Sequence, residues 1–366
     1  MQHVLMDADA PTSPVPSRNA ASPFPPPQDG ESLASWIDAV SRSRGLEIDS
    51  VLRDVRLATG GALSMAQTRL SDSVARALGR KTGVEPSALH GMTLARYAGN
   101  AVPHLPPRPW TDDVAIQQWR SAAWVSLRQA RWCGKCLREN DRRWPLRWML
   151  PWTFVCLIHR TYMATECVRC LSRISFSQHA GIPRNCESRY ADKRHLSYDY
   201  QDVCGFPLSM HRPLPVTDTS ILHLQERINA WLDGNPTAED RQLILVTAVL
   251  VLLVTSGMLP RGGQDPALLC RLLSKPPFDA EHMRAPWSDP LRVAAAARTA
   301  QWVLNRSVDP VEAAQNIADL RSIDYRITQF RLDVMEWAYG STLRPNPYLD
   351  ELVRNGAVTV GDFRVR

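Results

Sequence analysis

The sequence lacks the features that would place it in a membrane or outside the cell. Its first thirty residues contain acids and seven prolines (Pro11, Pro14, Pro16, Pro23, Pro25, Pro26 and Pro27) but no apolar h-region. They read as a disordered Pro-rich leader, not a secretory signal. A membrane span is missing too. The most apolar segment, Leu243–Leu259, has seventeen residues without a charge, whereas a span needs about twenty. Thr247, Thr255, Ser256 and Gly257 thin it further, and Asp240–Arg241 and Pro260–Arg261 bracket it. A helix buried on all sides of a helical domain is expected there. The expected location is the cytoplasm, where the eight cysteines suit metal better than disulfides.

Catalytic signatures are also absent. There is no G-x-x-x-x-G-K-[ST] phosphate loop, no H-E-x-x-H and no G-x-S-x-G, which argues against an NTPase, a zincin protease and an α/β-hydrolase. Asp49, Asp54, Asp309, Asp319 and Asp324 are the acids from which a nuclease cluster would have to be built. They sit where helix caps and exposed faces are expected, so no enzyme is predicted. No internal repeat at solenoid periods is present.

The 366 residues exceed what one core usually serves, so two or three domains are expected. Net charge is +6, modest for a soluble surface, but it is concentrated. Between Arg128 and Arg173 ten Lys/Arg (Arg128, Arg131, Lys135, Arg138, Arg142, Arg143, Arg147, Arg160, Arg169 and Arg173) face three acids. A phosphate backbone or an acidic protein face is the natural partner of such a segment; a solvated surface around a metal knuckle is the alternative.

Along the chain, residues 1–30 form the leader. Residues 31–102 read as an N-terminal helical domain. Leu33, Trp36, Ile37 and Val40 keep helical spacing, Gly45 breaks it, and Ile48, Val51 and Leu52 resume it. Ser71 and Ser73 are candidate N-caps for a second helix with Val74 and Leu78 on its apolar face. Thr82–Gly83 makes a turn, and Pro86 opens a short helix with Leu89 inside. That is the pattern of a helix-turn-helix, shared by many αα-hairpins that never touch DNA. Residues 103–118 are a Pro-rich linker, 119–212 a double zinc-binding domain, 213–340 a C-terminal helical domain and 341–366 a tail. The fold class is mainly α with a central zinc-ribbon or zinc-knuckle region.

Seven cysteines and one histidine fall within 72 residues: Cys133-x2-Cys136, Cys156-x2-His159, Cys167-x2-Cys170, then Cys186 and Cys204. A two-residue gap lets two donors reach one tetrahedral ion from a tight turn. Two sets of four follow. Sequential pairing puts Cys133, Cys136, Cys156 and His159 on one zinc and Cys167, Cys170, Cys186 and Cys204 on the other. A cross-braced arrangement would join Cys133/Cys136 to Cys167/Cys170, at the cost of longer loops. Four protein ligands per ion leave no place for water, so the sites are expected to be structural. His179 and His195 are reserve ligands in place of Cys186, which has no CxxC mate. Cys270, in Ala-Leu-Leu-Cys-Arg-Leu-Leu, reads as a core thiol.

Trp132, Trp144, Trp148 and Trp152 lie among Arg142, Arg143 and Arg147. Interleaved arginine and aromatic residues can grip nucleic acid by phosphate contact and stacking. The other reading packs the tryptophans around the zinc sites, with the arginines in water. Arg138, Arg142, Arg143, Arg147, Arg160 and, upstream, Lys81 are the candidate nucleic-acid or partner contacts.

The order of these motifs resembles the TniQ family of transposition proteins, relatives of TnsD-type target selectors. It is carried by Cys133-Gly-Lys-Cys136-Leu, Trp144-Pro-Leu-Arg-Trp148-Met-Leu-Pro151, Val155-Cys156-Leu-Ile-His159, Cys167-Val-Arg-Cys170 and Cys204-Gly-Phe-Pro-Leu208. Glu31-Ser-Leu-Ala-Ser-Trp36 and the segment from Thr82-Gly83 to Tyr97 are similar to the family's upstream motifs. One position departs: the family often ends in CxxCG, and Gln201 stands at the first of those places, so Cys186 must supply the fourth thiolate. The resemblance implies a non-enzymatic targeting factor that links DNA, or an RNA-guided target complex, to an AAA+ ATPase and transposase. Two zinc ions, DNA, that ATPase and a homodimer are the expected cofactors and partners, with no membrane. A zinc-stabilised helix-turn-helix regulator is the competing expectation.

Overall fold

The computed structural model describes residues 24–54, 66–102, 131–174, 182–188, 203–234, 236–254, 286–319 and 347–354, with positions 63, 105 and 125 between them. The leader up to residue 23, the reserve ligands His179 and His195, Cys270 and Asp324 lie outside this set.

Capping chemistry places the N-terminal helices. The Ser32 hydroxyl accepts the Ser35 N–H at the start of α1 (Leu33–Arg44), and Gly45, at φ 61°, ends it in a left-handed conformation. Leu33, Trp36, Ile37 and Val40 are buried. α2 (Ile48–Asp54) buries Val51 and Leu52. α3 (Asp72–Thr82) is capped by Ser71 and stops at Gly83. α4 (Pro86–Gly91) follows with Pro86 in its first turn and Leu89 inside, and a 3-10 turn at Leu94–Tyr97 closes the unit.

The described residues of the central region have little regular structure. α5 (Gly134–Glu139) and a 3-10 turn at Leu146–Met149 precede a hairpin of β1 (Val155–Cys156) and β2 (Thr161–Tyr162), with Val155 opposite Tyr162 and Cys156 opposite Thr161. Trp132 and Ala164 exchange backbone hydrogen bonds of 3.0 and 2.9 Å just outside it. Gly134 is required by close approach: a Cβ there would collide with the His211 carbonyl oxygen. Its absence lets α5 lie against the 208–211 segment.

The C-terminal part comprises α6 (Thr219–Leu232), α7 (Ala238–Val254), α8 (Pro290–Leu304), α9 (Pro310–Asp319) and α10 (Pro347–Arg354). The described chain is mostly helical. Leu243, Ile244, Val246, Ala248, Val249, Leu250 and Val251 of α7 are all buried, as are Ala294, Ala295, Ala296, Ala297 and Ala300 of α8. A stripe of alanines lets two helices approach closely, which explains how so apolar a helix is covered. Among the described residues, no helix is long and apolar enough to cross a membrane.

Two apolar cores result, and the central region feeds both. Trp132, Trp144 and Trp148 join the N-terminal helices. Leu146, Met149, Trp152, Phe154 and Tyr162 join α6 to α9. Two polar locks fix these seams. Arg143 donates to both carboxylate oxygens of Glu31 at 2.8 and 2.7 Å, with both side chains buried. Gln225 of α6, fully buried, accepts from the backbone N–H groups of Phe154 and Val155, both at 2.9 Å. Its amide donates to the Trp152 carbonyl at 2.9 Å.

Candidate metal centres

The first cluster draws its donors from the start of α5 and from the hairpin. Cys133 and Cys136 flank the first turn of α5; Cys156 ends β1 and His159 sits in the turn before β2. The Cys136 Sγ lies 3.5 Å from Cys156 Sγ and 3.2 Å from His159 Nδ1. His159 Nδ1 is 3.5 Å from the sulfurs of both Cys133 and Cys156. Zinc bonds to sulfur of ~2.3 Å and to nitrogen of ~2.0 Å imply tetrahedral edges of roughly 3.5–3.8 Å. The observed edges come close to that, and they are far longer than a disulfide of ~2.05 Å.

The second cluster solves the problem of the two cysteines without a CxxC mate. Residues 184–188 and 204–208 run as an antiparallel ladder: Cys186 N–H donates to Phe206 O (2.8 Å), Gly205 N–H to Cys186 O (2.9 Å), and Leu208 N–H to Arg184 O (2.9 Å). This brings Cys186 and Cys204 to the Cys167–Cys170 knuckle. Cys167 Sγ is 3.7 Å from Cys204 Sγ, and Cys170 Sγ is 3.5 Å from Cys186 Sγ. In each set the four donor atoms lie within 4.8 Å of one another. The grouping is the sequential one, and both clusters could hold a metal ion.

Electrostatics point the same way. Hydrogen bonds from Cys136 and Cys156 pull the Cys133 thiol far below its usual range. The same contact with Cys133 pushes Cys136 up and Cys156 to about 11. In the second cluster burial pushes Cys186 up to about 12. At Cys170 burial works upward, but hydrogen bonds led by Ser172 outweigh it and bring the thiol to about 7. In the first cluster the thiol that ionises first holds its neighbours up, whereas in the second burial is the main cause that holds Cys167 and Cys186 up; a bound cation would favour the thiolate in both.

His159 has a supporting group that the sequence reading did not single out. Its Nε2 lies 2.8 Å from Glu139 Oε2, leaving Nδ1 toward the three sulfurs. A carboxylate on the far nitrogen orients a ligating imidazole and fixes its tautomer. The signal was available: Glu139 follows Cys136 by three residues on one short helix, where side chains share a face.

The candidate partner residues divide. Arg138, Arg142 and Arg160 are exposed. Arg143 is spent on Glu31 in the interior, and Arg147 points to Asp233 at 3.4 Å. Lys81 is paired with Asp54, which also takes Arg44. A further member of the basic run, Arg131, is buried and donates to the carbonyls of Leu150 and Trp287; burial lowers its guanidinium to about 10. The tryptophan segment is not a stacking surface. Trp132, Trp144, Trp148 and Trp152 are at most 5% exposed, with edge-on contacts between Trp144 and Trp148 and between Trp152 and Trp231. Apolar burial of four indoles outweighs anything a solvent-facing stack would gain. α4 carries no Lys or Arg, and its His90 faces Asp72 at 3.3 Å. It therefore offers little to a phosphate backbone.

Among the described residues, Asp49, Asp54 and Asp309 join neither cluster. Asp309 caps α9, accepting the Glu312 N–H at 2.9 Å. The side chain of Asp319 is outside the described set.

A mostly helical protein stapled by two compact four-donor Cys/His clusters is the class these features define. Residues 22–163 match the TniQ family model, and that portion of the chain is similar to the TniQ family of transposition proteins. The match takes in the first cluster and ends before Cys167. No curated protein matches the chain.

Proposed function

We propose that this chain is a non-enzymatic targeting adaptor of a DNA transposon, linking target DNA or a target-bound complex to an AAA+ ATPase and its transposase. The TniQ match carries the reading. Cys133, Cys136, Cys156 and His159 hold one zinc, and Cys167, Cys170, Cys186 and Cys204 hold the other. With four protein donors each, both are structural ions that staple a region whose strands are two residues long. Arg138, Arg142 and Arg160 belong to the partner surface, whereas Arg143, Arg147 and Lys81 hold the fold together.

The test is co-purification with the AAA+ ATPase of the same transposon, with and without duplex DNA. Retention of the ATPase is the expected result. Loss of retention together with tight, sequence-selective DNA binding by the chain alone would replace the adaptor with a zinc-stabilised regulator.

A further inference from the structure

The outer face of the first cluster carries cations that the fold does not use. Lys135 and Arg138 project from α5, Arg142 follows that helix, and Arg160 comes directly after His159. All four are exposed. Among the described residues none has a carboxylate within ion-pair distance, unlike Arg42, Arg143, Arg147 and Lys81. They share one neighbourhood because His159 touches both Cys136 and Glu139, which sets Arg160 beside the end of α5. Glu139 contributes one opposing charge, Asp141 another that is already paired with Arg42, and three thiolates on a divalent ion would contribute one more; the four cations still outnumber them.

Two of the four cations stand on turns. Arg142 and Arg160 have φ of 61° and 51°, in the left-handed region where glycine is the unstrained choice. Leu171, which follows Cys170 as Arg160 follows His159, has the same conformation at φ 59°, and so does Asp141 at φ 55°, so the left-handed backbone belongs to the turns themselves; its use here is that glycine can replace either arginine without backbone strain.

We propose that Lys135, Arg138, Arg142 and Arg160 form a clamp for the backbone of duplex DNA, holding the adaptor on its target without reading sequence. This rests on the adaptor reading and deepens it. Exposed guanidinium and ammonium groups gathered beside one knuckle suit phosphate oxygens, to which they donate charge-assisted hydrogen bonds. The helix that carries Lys135 and Arg138 has only 6 residues, too short to lie along a groove, so the clamp leaves sequence choice to other elements. Single strands fit less well: among the described residues none of the exposed large hydrophobic side chains is aromatic, and single-strand binding relies on stacking.

The experiment uses the full-length zinc-loaded chain and no ATPase. Affinity is measured from 50 to 200 mM salt for two duplexes of unrelated sequence and for one of their single strands. The variants are the triple R138A/R142A/R160A and the double R142G/R160G. Each phosphate contact contributes about 0.9 to the slope of log affinity against log salt, so three contacts account for roughly a 40-fold loss over this fourfold salt range. The triple variant should lose that salt dependence and bind weakly at 50 mM, equally for both duplexes, with zinc content intact. The glycine double variant should also bind more weakly, yet melt at the same temperature or higher, because it relieves left-handed strain. A purely structural role would lower its melting temperature.

Unchanged slope in the triple variant, or no duplex binding by the folded wild type, would overturn the clamp. So would preference for the single strand. None of these results touches ATPase retention, which tests the adaptor reading separately.

Discussion

Gln225 is the residue through which the C-terminal helices hold the first cluster, and its replacement tests that arrangement quantitatively. Its Oε1 accepts two backbone N–H groups, from Phe154 and Val155, immediately before Cys156 of that cluster. Its amide reaches Trp152 O and Asn229 Oδ1, and it has no solvent exposure. Gln225→Leu keeps the volume but leaves two buried donors without an acceptor, at about 1–3 kcal/mol each. The leucine's own burial offsets part of this, and a net loss of about 2–5 kcal/mol is expected.

Gln225→Glu separates hydrogen bonding from volume. Protonated, it keeps the acceptor for both N–H groups and still donates once to Trp152; ionised, it is a buried charge. Burial raises its folded pKa above the unfolded value of about 4.3. This variant should therefore be near wild-type below pH 4 and lose stability as pH rises through the folded pKa. Urea unfolding at several pH values reads this, with zinc release to a chelator as a local probe. Release of one ion should accelerate while the other is unaffected. A Gln225→Leu protein within 0.5 kcal/mol of wild type, a difference typical of surface substitutions, would refute the reasoning.

Three further outcomes are expected. Arg143→Ala should destabilise the protein by about 3–5 kcal/mol in thermal or urea unfolding, because it strands the buried Glu31 carboxylate; Arg143→Ala with wild-type stability would remove that lock. Purified protein should carry two zinc ions, and Cys186→Ser should reduce metal analysis to one while the first cluster keeps its ion; retention of two would take Cys186 out of the ligand set. Burial works to raise the Asp240 carboxyl, but hydrogen bonds from Arg227 and Thr237 prevail and hold it below the usual carboxylate range. Its contribution is present above the unfolded pKa of about 3.9 and disappears as pH falls through the lower folded value. Asp240→Asn should flatten the unfolding profile below pH 4, and an identical acid limb in both proteins would contradict it.

Local chemistry made much of the fold legible. Ser71, Gly45 and Gly83 cap and end helices by rules that act within four residues, and the two-residue gaps of the knuckles point to shared metal positions. What was hidden depends on distant partners. Cys186 and Cys204 meet only through a ladder between two short segments, and nothing in either segment's own pattern announces its mate. Arg131 and Arg143 sit in a basic run and read as surface, because an arginine is seldom buried unless paired. The acid that buries Arg143 is Glu31, 112 positions upstream. The tryptophans were legible as filler or as stacking surface in equal measure; only their distribution over two cores decides between these.

That distribution shows what metal at the centre of the chain would do for the proposed adaptor. A two-residue hairpin and a short ladder are marginal by themselves, yet they carry Trp132, Trp144 and Trp148 into one core and Trp152, Phe154 and Tyr162 into the other. If the first ion leaves, the hairpin loses the tie between Cys133 and Cys156, and both cores lose aromatic residues that the hairpin positions. Metal loss should therefore not be confined to a surface knuckle. The N-terminal and C-terminal helices would become independent of each other, and an adaptor that must hold DNA and an ATPase in fixed relation would fail before either partner surface had changed.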